Sequence, residues 1–246
     1  CSRRDILDDY PVSGVDIKLD WDGVTDQLPE GVRVIFYPKS AEGRKIDTYL
    51  SVRGGKVKVP PGRYSVVAYN YDTETVQIRG EEAYETIEAF TGYCNGLGIA
   101  GTEKMVWGPD PLYVVQIDDL HIANSEEELL LDWKPKLVVK TYSFKIKVEG
   151  LEYVSSIVGS VEGMAGCYCL GRCCGMMNDA PIYFEAQGCS GEVTGSFTAF
   201  GLPEGAMSRA SLAIKFTLAF VKVDNTVQKI EVDITDVIVN SESGEG

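Results

Sequence analysis

The chain carries 37 acidic against 23 basic residues in 246, a formal charge of −14. A surface of that sign repels the phosphate backbone, so nucleic acid is excluded as a partner. No run approaches the ~18 consecutive apolar residues of a membrane-crossing helix, so any membrane contact must come through a lipid.

The chain opens on Cys1-Ser2-Arg3-Arg4-Asp5. No translated protein begins with cysteine, and this start looks like that of a mature bacterial lipoprotein, whose first cysteine is acylated on its sulfur and its new amino group. Residues 1–14 are therefore expected to be a lipid-anchored tether, with Cys1 as the attachment residue.

Strand signals follow at once. In Val15-Asp16-Ile17-Lys18-Leu19-Asp20-Trp21 every odd residue is apolar and every even one charged, which is one half-buried face of a strand. Further strands are predicted at Val32 to Tyr37, Lys56 to Val59, Tyr64 to Tyr71 and Val114 to Ile117, with turns at Pro29-Glu30-Gly31, Gly54-Gly55 and Pro60-Pro61-Gly62. The capping-box pair Ser125 and Glu128 ahead of Leu129-Leu130-Leu131 predicts a short helix that Pro135 ends. A second helix is predicted over Glu81 to Phe90, where Tyr84, Ile87 and Phe90 share a helical face.

Beyond Asp132-Trp133-Lys134-Pro135-Lys136 the alternating programme repeats. Strands are predicted at Tyr142 to Val148, Pro181 to Glu185, Glu192 to Phe200, Leu212 to Phe220 and Ile230 to Ile234, with a turn at Pro203-Glu204-Gly205. Short alternating strands at this spacing predict an all-β chain of sandwiches or barrels with one or two short helices. The boundary is drawn between an N-terminal β-sandwich at 15–134 and a C-terminal one at 135–246.

Catalytic chemistry finds few residues to use. His121 is the only histidine; alternation sets it beside Asp119, but no serine or cysteine is sequence-linked to that pair, so it reads as a solvated strand residue. No motif marks any pair among the 37 carboxylates. Gly96-x-Gly98-x-x-Gly101 formally matches a dinucleotide fingerprint, yet no helix signal follows it and it reads as a chance match. No cofactor is implied, and the chain is expected not to be an enzyme.

Four thiols crowd Cys167-Tyr168-Cys169-Leu170-Gly171-Arg172-Cys173-Cys174. Zinc sites present two ligand pairs spaced by two to four residues, and the segment offers no two independent pairs with such a gap, Cys169 to Cys173 being one. The cluster reads as a hairpin, Gly171 supplying a positive φ at its turn, with Cys167, Cys169, Cys173 and Cys174 as disulfide partners or free thiols and no metal. With Cys1 set aside, six cysteines remain, enough for three disulfides of undetermined pairing. Exposed Trp21, Trp107 or Tyr113 could instead stack on sugar rings, which makes a surface glycan-binding lipoprotein the alternative reading.

The ordered set of segments carries a resemblance. Lys58-Val59-Pro60-Pro61-Gly62-Arg63-Tyr64-Ser65-Val66-Val67-Ala68-Tyr69-Asn70, then Tyr142 to Leu151, Ile157 to Gly166, Gly195 to Gly201 and Val232 to Asp236, resembles the fimbrillin-like lipoproteins of anaerobic Gram-negative bacteria, anchor and minor subunits of type V pili. The resemblance implies two tandem transthyretin-like (Greek-key) β-sandwich domains, acylation at Cys1 and a place in the outer membrane facing the surface. It further implies partnership with other fimbrial subunits by β-strand complementation, in pilus assembly or adhesion. The cysteine cluster departs from the family pattern and reads as a local staple. Asn240-Ser241-Glu242-Ser243-Gly244-Glu245-Gly246 is polar and a poor donor strand, which points to an anchor or self-complemented subunit rather than a shaft subunit.

Overall fold

The structure, a computed structural model, describes residues 13–25, 27–94, 104–125, 127–177, 180–206 and 212–243. Cys1 and most of the expected tether, the glycine motif at 96–101 and the last three residues lie outside the described residues.

Strands dominate throughout. The first half of the chain forms β1 (Ser13–Leu19), β2 (Gly31–Pro38), β3 (Ile46–Ser51), β4 (Gly54–Val59), β5 (Gly62–Asn70), β6 (Val76–Arg79), β7 (Glu88–Thr91), β8 (Tyr93–Cys94), β9 (Met105–Trp107), β10 (Tyr113–Ile122) and β11 (Leu129–Trp133). The second forms β12 (Lys136–Leu137), β13 (Lys140–Lys147), a 3-10 turn at Leu151–Tyr153, β14 (Val154–Glu162), β15 (Ala165–Cys169), β16 (Cys174–Met177), β17 (Ile182–Cys189), β18 (Glu192–Ala199), β19 (Lys215–Lys222), β20 (Val227–Asp233) and the helix α1 (Thr235–Ser243). The fold is nearly all-β, as the alternation predicts.

One sheet has the order β11-β1-β4-β3-β2-β5-β10-β12. Its central strands β2 and β5 are buried on both faces. On one face Val34, Phe36, Val66 and Ala68 meet Val15, Ile17, Val57 and Trp133 from strands at the far end, so the sheet curls over its own core. On the other face Ile35, Tyr37, Val67 and Tyr69 meet a second, four-stranded sheet of order β16-β15-β7-β6.

That small sheet crosses the boundary drawn at 134/135. The hairpin β15–β16 comes from the second half and pairs with β7 of the first, Cys167 opposite Phe90 and Cys169 opposite Glu88. Tyr168 and Leu170 thereby enter the core beneath the first sheet. Exchange runs the other way too: β9 pairs parallel with β17 of the second half, Val106 opposite Ile182. The two halves of the chain are laced together by strands.

Among the described residues neither predicted helix forms. Leu129 to Leu131 belong to strand β11, parallel to β1, because Leu129, Leu131 and Trp133 pack against the core while Leu130 between them is 63% exposed. Over Glu81 to Phe90 the backbone makes a single turn, the amides of Thr86 and Ile87 both donating to the Ala83 carbonyl, before β7 takes over. Pairing with β6 and β15 outweighs the helical periodicity there. The helix that does form, α1, begins just after the strand predicted at Ile230 to Ile234.

Candidate subunit-binding site

The remaining sheet, β13-β18-β17-β14-β19-β20, is antiparallel along its whole path. Its inward face is aromatic, and glycines make room for the rings. Gly159 lies opposite Phe184, and a Cβ there would sit 2.2 Å from the ring; Gly195 lies opposite Phe144, where a Cβ would sit 2.7 Å away. The rings of Phe144, Phe184, Phe197 and Phe216 gather into one cluster. Phe144 on the first strand touches Phe216 on the fifth, so the sheet curls across its inward face and leaves its terminal strands β13 and β20 as the two sides of an unpaired seam.

The curl does not cover its own rim. Ile230 and Val232 of β20 stand opposite Leu218 and Phe216, hence on the inward face, yet they are 41% and 45% exposed. Tyr142, Phe144 and Ile146 of β13 face inward and are only half-buried. Along the seam between the terminal strands an apolar floor is open to solvent.

Different elements treat the two ends of this seam. At one end α1 crosses it. Asp233 Oδ1 accepts from the Thr235 amide at 2.9 Å, and the Ile214 amide donates to Thr235 Oγ1 at 2.8 Å, which fixes the start of the helix beside β19. Ile238 sinks into the core at 5% exposure. Glu242, one helical turn further on, accepts from Lys140 Nζ at 2.7 Å and from the Tyr142 hydroxyl, tying the helix to β13. At the other end lies a groove of about 370 Å³ whose apolar lining, Val148, Tyr153, Val154, Phe220, Val223 and Ile230, is interspersed with polar Glu149, Lys222, Asp224 and Gln228. Tyr153 and Val223 on its rim are 62% and 69% exposed.

The cysteine segment forms the expected hairpin, but its turn differs. The positive φ, 51°, belongs to Cys173. Gly171 serves another purpose: a Cβ there would lie 1.9 Å from the Tyr84 carbonyl oxygen, so the close approach of the hairpin loop to the first half demands glycine. Cys167, Cys169, Cys173 and Cys174 are all thiols in this structure, as are Cys94 and Cys189. Cys174 donates to Glu204 at 3.4 Å; burial and that carboxylate push its thiol up to about 11. Burial also raises Cys94, Cys167 and Cys173.

His121 and Asp119 are not brought together. A bulge between Ile117 and Leu120 interrupts the alternation of β10, His121 is exposed, and Asp119 pairs with Arg63 and, at 3.7 Å, with Lys39. Of the three aromatic candidates, Trp21 and Tyr113 pack on one another with ring centroids 5.3 Å apart, and Trp21 Nε1 donates to the Val52 carbonyl. Trp107 is 39% exposed and rests edge-on against Tyr183. Sequence reasoning missed the seam, because its signal lies in which strands end up at the edges.

A curled antiparallel sheet with exposed apolar residues on an edge strand, laced by strand exchange to a second β unit, defines a nearly all-β protein. The chain belongs to the family described as a domain of unknown function, DUF5119, whose model matches residues 1–185, and to the fimbrillin-like family that its sequence resembles. A relative from Bacteroides ovatus named "Putative fimbrium anchoring subunit Fim4B" is 62% identical over 250 residues, covering 97% of this chain and 75% of that protein. A crystal structure from Bacteroides ovatus described as a "putative adhesin" superposes with a TM-score of 0.87 at 61% identity, over 98% of this chain and 89% of the other. The fimbrial anchor protein Mfa2 from Porphyromonas gingivalis shares the fold, with a TM-score of 0.57 at 11% identity, over 93% and 83% of the two chains.

Proposed function

We propose that this protein is a non-enzymatic fimbrial anchor or minor subunit, held in the outer membrane by a lipid on Cys1 and joined to the pilus by strand complementation. The names of the relatives support the fimbrial role. The single observation that carries the mode of joining is the exposed inward face of β20, Ile230 and Val232, across the seam from half-buried Phe144 and Ile146. A strand from a neighbouring subunit laid between β13 and β20 would pair with two edges and cover those side chains. In this reading 1–14 is the tether, and 15–134 and 135–246 are two transthyretin-like β-sandwich units divided along the chain but laced by β15–β16 and β9.

Deleting the gene tests the role: fimbriae should be shed into the medium or change in length, and normal cell-attached fimbriae would overturn it. Cys1→Ser in the full precursor should move the protein out of the membrane fraction without unfolding it. Retention in that fraction would remove the lipid from the account. The glycan-binding alternative has Trp107 as its one exposed aromatic of the three, and a glycan array with this protein decides it.

A further inference from the structure

The thiols of the β15–β16 hairpin are not equivalent, and the strand register singles out one pair. Cys169 and Cys174 are direct cross-strand partners at the closed end of the hairpin. Direct partners in an antiparallel ladder have Cα atoms ~4.5–5.5 Å apart with side chains on one face. A disulfide spans Cα separations of about 4.4–6.8 Å, so the backbone already stands within bonding range.

In the reduced chain each thiol of the pair is hydrogen-bonded elsewhere, Cys169 to the Glu85 carbonyl at 3.7 Å and Cys174 to Glu204 at 3.4 Å, while the remaining cysteines have no cysteine as ladder partner. Cys167 faces Met176 across the ladder and donates to its carbonyl at 3.8 Å. Cys173, in its left-handed conformation, donates back to the Leu170 carbonyl at 3.7 Å. Cys94 is buried among Met105, Val158, Tyr183 and Ala219 in the other sheet, and Cys189 is exposed beside Ser190 at a different turn. The two register partners also differ in access: Cys169 is 2% exposed, whereas Cys174 is half-buried, within reach of solvent beside Glu204 and Arg172.

We propose that Cys169 and Cys174 form a cross-strand disulfide when the protein meets a disulfide oxidant, stapling the hairpin that the second half of the chain lends to the first. The Cys174 thiolate attacks one sulfur of the oxidant, releasing a thiolate and leaving a mixed disulfide. The Cys169 thiolate then attacks the Cys174 sulfur and expels the second oxidant thiolate. Two protons leave the cysteines and two electrons pass to the oxidant, which ends as two thiols. The bond would close the loop whose carbonyl at Gly171 accepts from Gln116 and whose Leu170 amide donates to the Ile87 carbonyl, the contacts that seat the hairpin under the first half. This inference does not rest on the fimbrial reading.

Arg172 makes the test direct, because trypsin cuts there and separates Cys167 and Cys169 from Cys173 and Cys174. The full chain, reduced and then exposed to oxidised glutathione, is alkylated and digested without reductant. The expected product is a single linked pair of peptides, lighter than the two free peptides by two hydrogens, and slower hydrogen exchange in β15–β16. The link should vanish in Cys169→Ala and in Cys174→Ser and persist in Cys167→Ala and Cys173→Ser, with circular dichroism confirming that each variant keeps its β structure. A link that survives Cys174→Ser, or four hairpin thiols still free after excess oxidant in the folded wild type, would overturn the proposal. Should Cys169→Ala fail to fold, fragmentation of the wild-type linked peptide assigns the two sulfurs directly, and any pairing other than Cys169 with Cys174 has the same consequence.

Discussion

Phe144 on β13 lies against Phe216 on β19, ring centroids 4.9 Å apart, although three strands separate them along the sheet. That contact requires a curled sheet, and the curl requires Gly159 and Gly195 opposite the rings they admit. Gly159→Ala would drive a methyl to 2.2 Å from the Phe184 ring and 2.8 Å from the Thr217 carbonyl. Overpacking of this kind costs about 1–3 kcal/mol. Urea denaturation should show that loss for Gly159→Ala, and near-wild-type stability would mean the ring can move aside.

Ile230 and Val232 offer a separation of binding from folding. Both are more than two-fifths exposed, so Ile230→Thr with Val232→Thr should change stability by only about 0.5 kcal/mol. Co-purification with fimbrial subunits should nonetheless fall at least tenfold. Unchanged co-purification with an intact fold would move the interface elsewhere.

Ile238 holds α1 over the seam at 5% exposure, and truncating such a side chain costs about 2 kcal/mol or more when its surroundings stay fixed. Ile238→Ala should release the helix locally, read as faster hydrogen exchange over α1 and the first residues of β13. Glu242→Gln, which weakens the tie to Lys140, should do the same more mildly.

Arg33 joins Asp47 at 2.6 Å and also pairs with Glu81 and the Tyr69 hydroxyl. The guanidinium hydrogen bond holds the Asp47 carboxyl below its ordinary range. Such a depressed carboxylate contributes stability that is complete above its unfolded value near ~3.9 and is lost as pH falls through the lower folded value. Arg33→Met should cost about 1–2 kcal/mol at pH 7, both partners being only partly exposed. The part of that deficit that comes from Asp47 should shrink below pH ~4, as urea titrations at several pH values would show.

Glu204 raises the Cys174 thiol, so Glu204→Gln should increase the thiolate fraction at pH 8. Alkylation of Cys174 by iodoacetamide, followed by peptide mass spectrometry, should then run several-fold faster than in the wild type, each unit of pKa being about a factor of ten in thiolate. An unchanged rate would leave burial as the sole cause.

Strands whose one face meets a core and whose other meets water were legible in the sequence. β1 and β13 announce themselves by strict alternation, because burial samples every second residue. Leu129-Leu130-Leu131 misleads since three leucines fit a helix as well as a strand, and only the parallel partner β1 decides between them. The hairpin at the cysteines was legible, but its positive φ sits at Cys173, while the glycine is needed where the Tyr84 carbonyl presses close.

By itself, then, the sequence determined a charged, nearly all-β chain of alternating strands with no marked catalytic constellation, since composition and period-two burial are local properties. The tertiary structure alone decided that β15–β16 would complete a sheet of the first half, that β13 and β20 would be the two terminal strands of theirs, and that Cys169 would stand across from Cys174. Those relations join residues far apart in the chain or depend on pairing register, and no pattern within one segment encodes which edge or partner it will meet.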